Sequence, residues 1–188
     1  MKKLIPFLVL LAGATVAMAQ GTVNFANNVA FTTTAPTPPG RLVYNTDNTT
    51  LLVGSDLAQP ATFVAQLYYG ANAGSLAAHT AAPARFRPGT SGPGIWLGGT
   101  RTLTGFAPGT TLTLEVRAWD MRTGATWDAA GLRGQSGTFT YTIPLDPLSA
   151  PAAYFMENMR GFSLVPEPSV IGLGLIGVGA LFMLRRRK

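Results

Sequence analysis

The stretch from Thr110 to Asp120, TTLTLEVRAWD, limits the fold more than any other. Leu112, Leu114, Val116 and Ala118 alternate with Thr111, Thr113, Glu115, Arg117 and Trp119. A period of two places one set of side chains on each face of a strand, whereas a helix repeats every 3.6 residues. Phe139, Tyr141 and Ile143 alternate with Thr138, Thr140 and Thr142 in the same way. Phe63, Ala65, Leu67 and Tyr69 alternate with Thr62, Gln66 and Tyr68, with Val64 off the pattern. Shorter strands are expected at residues 22–25, 41–44, 50–53, 94–97 and 101–103. Gly and Pro, 22 and 14 of 188 residues, supply turns between them. The turn signals are Pro38-Pro39-Gly40, Asp47-Asn48, Gly70 to Gly74, Pro88-Gly89, Gly98-Gly99, Pro108-Gly109 and residues 131–137. Only residues 128–132 and 152–159 read as helical. Regular short strands with Gly/Pro turns predict an all-β fold, a single β-sandwich over residues 20–164. That length buries a core without disulfides, and the chain contains no cysteine to make one.

The formal net charge of +6 suggests nucleic acid only until it is mapped. Lys2 and Lys3 open the chain, and Arg185, Arg186, Arg187 and Lys188 close it. Between residues 20 and 164 eight arginines face seven acids, which leaves a single positive charge. A nucleic-acid domain carries its own basic patch, so no nucleic-acid partner is expected.

The two ends have a pattern of their own. Lys2-Lys3, the apolar run 4–12 and Ala17-Met18-Ala19 follow the order of a secretory signal peptide, residues 1–19. The cut is expected between Ala19 and Gln20. At the other end Val165-Pro166-Glu167-Pro168 precedes an apolar run, 169–184, and the basic tail Arg185 to Lys188. As a helix this run spans about 24 Å, short of a hydrocarbon core of about 30 Å. It is expected to be a transmembrane helix that meets the core by local thinning and snorkelling arginines. Arg185, Arg186, Arg187 and Lys188 would act as the membrane stop, on the cytoplasmic side. Gly172-Leu173-Gly174-Leu175-Ile176-Gly177 also satisfies G-x-G-x-x-G. That fingerprint needs a strand before it and an acid about 20 residues after it. A basic tail follows instead, so no nucleotide is expected.

Residues 165–188 closely resemble the PEP-CTERM sorting signal: a Val-Pro-Glu-Pro-like motif, a short glycine-bearing apolar segment and a terminal arginine cluster. The resemblance implies handling by an exosortase, a membrane-embedded cysteine transpeptidase-like enzyme. The tail would be removed near Val165, Pro166, Glu167 and Pro168. The precursor would be anchored in the inner membrane, and the mature protein delivered to the cell envelope, surface or extracellular matrix. Leu103-Thr104-Gly105-Phe106-Ala107-Pro108-Gly109-Thr110, followed by a strand, resembles a corner of fibronectin type III-like domains. The expected topology is therefore fibronectin III- or jelly-roll-like. The family's usual tyrosine position is Leu112 here. The middle also resembles small secreted proteins that carry this same tail, a resemblance that brings no activity with it.

Little in the middle suggests catalysis. A glycosidase needs two carboxylates about 5–9.5 Å apart. Asp120 and Asp128 are the best pair, but acids beside turns are usually turn formers. His79, the sole histidine, lies in an Ala-rich loop. Asp47, Asn48 and Asp56 could touch calcium, yet no D-x-D-x-D-G loop exists. The sequence therefore predicts no catalytic residue, no metal and no cofactor. Sugar-binding sandwiches stack sugars on exposed rings, and Trp96, Trp119 and Trp127 are the candidates, with Tyr68. The leading expectation is a non-catalytic exported envelope or matrix protein whose partners are exosortase and, transiently, the membrane. The alternative is a module that binds exopolysaccharide.

Overall fold

The structure is a computed structural model that describes residues 20–28, 40–54 and 63–167. Its strands are β1 (Gly21–Ala26), β2 (Val43–Tyr44), β3 (Phe63–Gly70), β4 (Ala77–Ala78), β5 (Ala84–Arg85), β6 (Leu97–Leu103), β7 (Thr111–Asp120), β8 (Leu132–Thr142), β9 (Phe162–Ser163) and β10 (Val165–Pro166). The alternating segment is β7, at the centre of a six-stranded sheet. β7 pairs antiparallel with β3 on one side and β8 on the other. The far edge of β3 carries β4 and β5, and the far edge of β8 carries β10. β1 and β6 form an antiparallel ribbon, and β2 and β9 a short parallel pair.

One core unites these pieces. Leu112, Leu114, Val116 and Ala118 of β7 meet Ala65 and Leu67 of β3 and Tyr141 of β8. Val23 and Phe25 of β1, Leu103 of β6 and Val43 of β2 close over them, with Met156, Met159 and Leu164 from the last turns. Trp96 sits at the centre of an aromatic group, its ring 5.4 Å from Phe25 and 5.6 Å from Phe86. Asn27 ties the periphery: its amide donates to Arg41 O and Gly94 O, and its carbonyl oxygen accepts from Trp96 N. Three buried backbone groups are satisfied by one side chain, as burial demands.

Arg41 is fully buried. Its guanidinium donates to Phe155 O and, at 3.0 Å, to Met156 O. Burial lowers its pKa below the ordinary arginine value, with Glu157 opposing the shift. The entry to β2 is thus held by carbonyls from the turn after Tyr154.

Glycines explain where strands differ from expectation. Gly98-Gly99, read as a turn, lies inside β6. A Cβ on Gly98 would collide with Phe25, and Gly99 has φ +69°. Residues 131–137, also read as a turn, are largely β8. The ladder shifts between Glu115 and Arg117, where the Ser136 hydroxyl accepts from Val116 N at 3.0 Å and Gly137 takes φ +71°. An extra residue absorbed this way is a β-bulge. Residues 128–132 are not helical, and the only α-helix among the described residues, α1, is four residues, Pro151–Tyr154.

The expectation of a fibronectin III- or jelly-roll-like β-sandwich flanked by a transmembrane helix is corrected on two counts. The fold is all-β, but it is a mixed and unclosed set of sheets in which β2 and β9 run parallel. Among the described residues no helix is long and apolar enough to cross a membrane. A spanning helix needs about 20 apolar residues, and the run 169–184 has fewer. Among the described residues, the expected inner-membrane-anchored precursor has no such helix to hold it. Residues 169–184 themselves lie outside the described residues, as do 1–19, Pro168 and the basic tail.

Candidate functional site

Residues 165–167 and the face they dock on form a polar assembly outside the core. Leu164 is fully buried, and the chain emerges directly as β10. Val165 pairs with Arg133 and Pro166 with Leu132, antiparallel on the β8 edge. Glu167 N donates to Gly131 O at 2.9 Å, and the Glu167 carboxylate forms an ion pair with Arg133. The proline at 166 lacks an N–H, and such residues are tolerated on edge strands. The strip therefore continues the sheet past residue 164.

Arg133 is held from behind. It donates to Trp127 O at 2.9 Å and Asp128 O at 2.7 Å, and its guanidinium lies 4.4 Å from the Trp127 ring centre. Arg117 also lies over that ring, at 4.5 Å, and covers Tyr68 at 4.0 Å. Arg117 is ion-paired with Glu115. The result is a row of Tyr68, Arg117, Trp127 and Arg133 ending on Glu167. Cation–π contacts of this kind contribute about 0.5–2 kcal/mol each. Trp127 Nε1 donates to Gly134 O at 3.1 Å, so the ring is fixed at both ends.

The tryptophans are therefore placed otherwise than as a sugar platform. Trp96 is fully buried and Trp119 only 4% exposed. Trp119 does lie on the face opposite Leu112–Ala118, but the loop after β7 folds back, and Val64, Ala130 and Trp127 cover it. Trp127 is half-buried, with Arg117 and Arg133 both over its ring. Of the residues expected at the signal-peptide cut, Gln20 is exposed just before β1, and Ala17 and Ala19 lie outside the described residues, as do Pro168 and Arg185, Arg186, Arg187 and Lys188.

The acids and the histidine are occupied by structure. Asp120 is 2% exposed, and Arg122 binds both its oxygens, at 2.7 to 3.1 Å. Burial would raise its carboxyl; hydrogen bonds and charge from Arg122 outweigh that and hold it below the ordinary value. Asp128 is exposed and lacks such a setting. Asp47 caps a turn, accepting from the Thr50 hydroxyl and from the amides of Thr49 and Thr50, which draw its carboxyl down to about 2. His79 Nδ1 accepts from Ala81 N at 3.0 Å, so Nε2 carries the proton donated to Thr102 O at 3.0 Å. Among the described residues no three His, Asp or Glu gather into a metal-binding group.

Arg133 and Arg117 are the site residues that sequence reasoning missed. Three glycines at 131, 134 and 137 disguise β8 as a turn, which hides Arg133 from any strand pattern. Arg117 did stand on the polar face of the alternating strand, but the partner ring, Trp127, comes from a loop ten residues on.

Residues 164–188 match the family model of the PEP-CTERM protein-sorting motif. The chain thus carries a PEP-CTERM sorting motif, a tag read by exosortases rather than a catalytic unit, behind an all-β body. No curated protein matches it, and no solved structure does.

Proposed function

We propose that this is a non-catalytic exported protein of the cell envelope, surface or extracellular matrix, sorted by an exosortase through residues 165–188. The observation that carries the reading is the match of residues 164–188 to the sorting motif. Three features support it. The Val165-Pro166-Glu167-Pro168 strip has two prolines that favour extended backbone, the form in which an enzyme can grip it. Lys2-Lys3 and Ala17-Met18-Ala19 supply an export signal with a cut before Gln20. Among the described residues, the polar groups of the body are engaged in turns, ion pairs and a bulge. An exopolysaccharide-binding role has less support, because Trp96 and Trp119 are buried and Trp127 is covered by arginines.

Mass spectrometry of the protein from its native host tests the proposal. The mature chain is expected to begin at Gln20 and to lack Arg185–Lys188. Converting Pro166, Glu167 and Pro168 to alanine, or deleting the exosortase, should leave the tail attached. Mature wild-type protein that retains Arg185–Lys188 would refute the sorting reading, and one that retains Met1 would refute the signal peptide.

A further inference from the structure

We infer that Arg133 is a positioning residue for the sorting signal: the folded body holds Val165–Glu167 as an edge strand, so an exosortase must peel the strip away before reading it. This rests on the sorting reading above. The first ground is the lack of slack. Leu164 is in the core, and the next three residues are all engaged on the β8 edge or on Arg133. An extended residue advances only about 3.3 Å, so no linker lets the motif leave the surface while those contacts stand. The second ground is the asymmetry of the latch. Two carbonyls and the Trp127 ring hold the Arg133 side chain through contacts that do not involve the strip. The strip is the part that can move, because Val165 is 60% exposed and its ladder is only two residues long. Short, exposed pairings open locally at small cost. The third ground is chemical. Glu167 carries the motif's only charge, and Arg133 has it neutralised, so an enzyme that recognises this carboxylate competes with the protein's own arginine.

Hydrogen exchange and pulse–chase processing test this together. Precursor accumulated in an exosortase-deficient host is compared as wild type, Arg133→Gln and Arg133→Lys. In wild type the Glu167 amide should be protected. Loss of a half-exposed ion pair should raise its exchange about two- to fivefold in Arg133→Gln, with Leu114 and Val116 unchanged and Arg133→Lys in between. In the native host tail removal should accelerate by a similar factor in Arg133→Gln. If that variant folds poorly, the lysine variant carries the comparison. A Glu167 amide that exchanges freely in wild type, or a processed wild type whose rate Arg133→Gln leaves unchanged, overturns the inference and spares the sorting reading. A wild-type chain that never loses its tail overturns the sorting reading and the inference with it.

Discussion

His79 shows how a single side chain joins two parts of the fold. It sits where the outer edge of β3 passes from β4 to β5. The Gln66 amide bridges this break by donating to His79 O and Ala81 O. The ring then reaches across to Thr102 in β6. Desolvation, and secondarily the Arg101 charge, lower its pKa below the ordinary 6.5, against the hydrogen bond to Thr102, which raises it. The unfolded chain therefore binds the proton more readily, so stability rises with pH through this range. The contribution is complete above the unfolded value and is lost as pH falls below it. Thermal melts should show a lower Tm at pH 5 than at pH 7.5, and His79→Gln should shrink that difference. An equal drop in both proteins would assign it to other groups.

Elements were legible in the sequence to the extent that their side chains alternate. β7 and β3 could be read because Leu112–Ala118 and Ala65–Leu67 point one way and polar residues the other. The first half of β8 could not, because glycine has no side chain to alternate. Its glycines answer to what lies beside them. A Cβ on Gly134 would run into the Ser163 carbonyl and press on Leu164 Cα. Gly134→Ala should therefore push the Ser163–Leu164 backbone away from β8, loosen β10 from its edge and destabilise the protein by about 1–3 kcal/mol, as overpacking does. Urea unfolding with an unchanged m-value would measure it. A neutral substitution would mean that the C-terminal strands are not seated there. The sorting strip itself was legible as a motif, whereas its docking depended on Arg133, which no local pattern announces.

At the scale of the molecule, the last described residues complete the core. Met156, Met159 and Leu164 are fully buried, and Phe155 and Met156 supply the carbonyls that hold Arg41. Burying such apolar side chains contributes about 1.5–3 kcal/mol each. Stranding a buried cation costs about 3–5 kcal/mol more. Against a typical stability of about 5–15 kcal/mol, a chain ending at residue 154 should lose its cooperative melt and its near-UV dichroism. One ending at residue 167 should melt like the full protein. If the shorter chain melts cooperatively, the C-terminal segment is an ornament and not part of the core. The parallel pairing of β2 with β9 also has a consequence in time. A ribosome delivers the chain from its N-terminus at about 5–20 residues per second. Val43 thus waits roughly 6–24 s for Phe162, its partner 119 positions later. Through that interval the nascent domain shows apolar surface that a chaperone can hold. It can close only when the residues just ahead of the sorting motif have been made, so a folded body certifies that translation has reached the threshold of its address label.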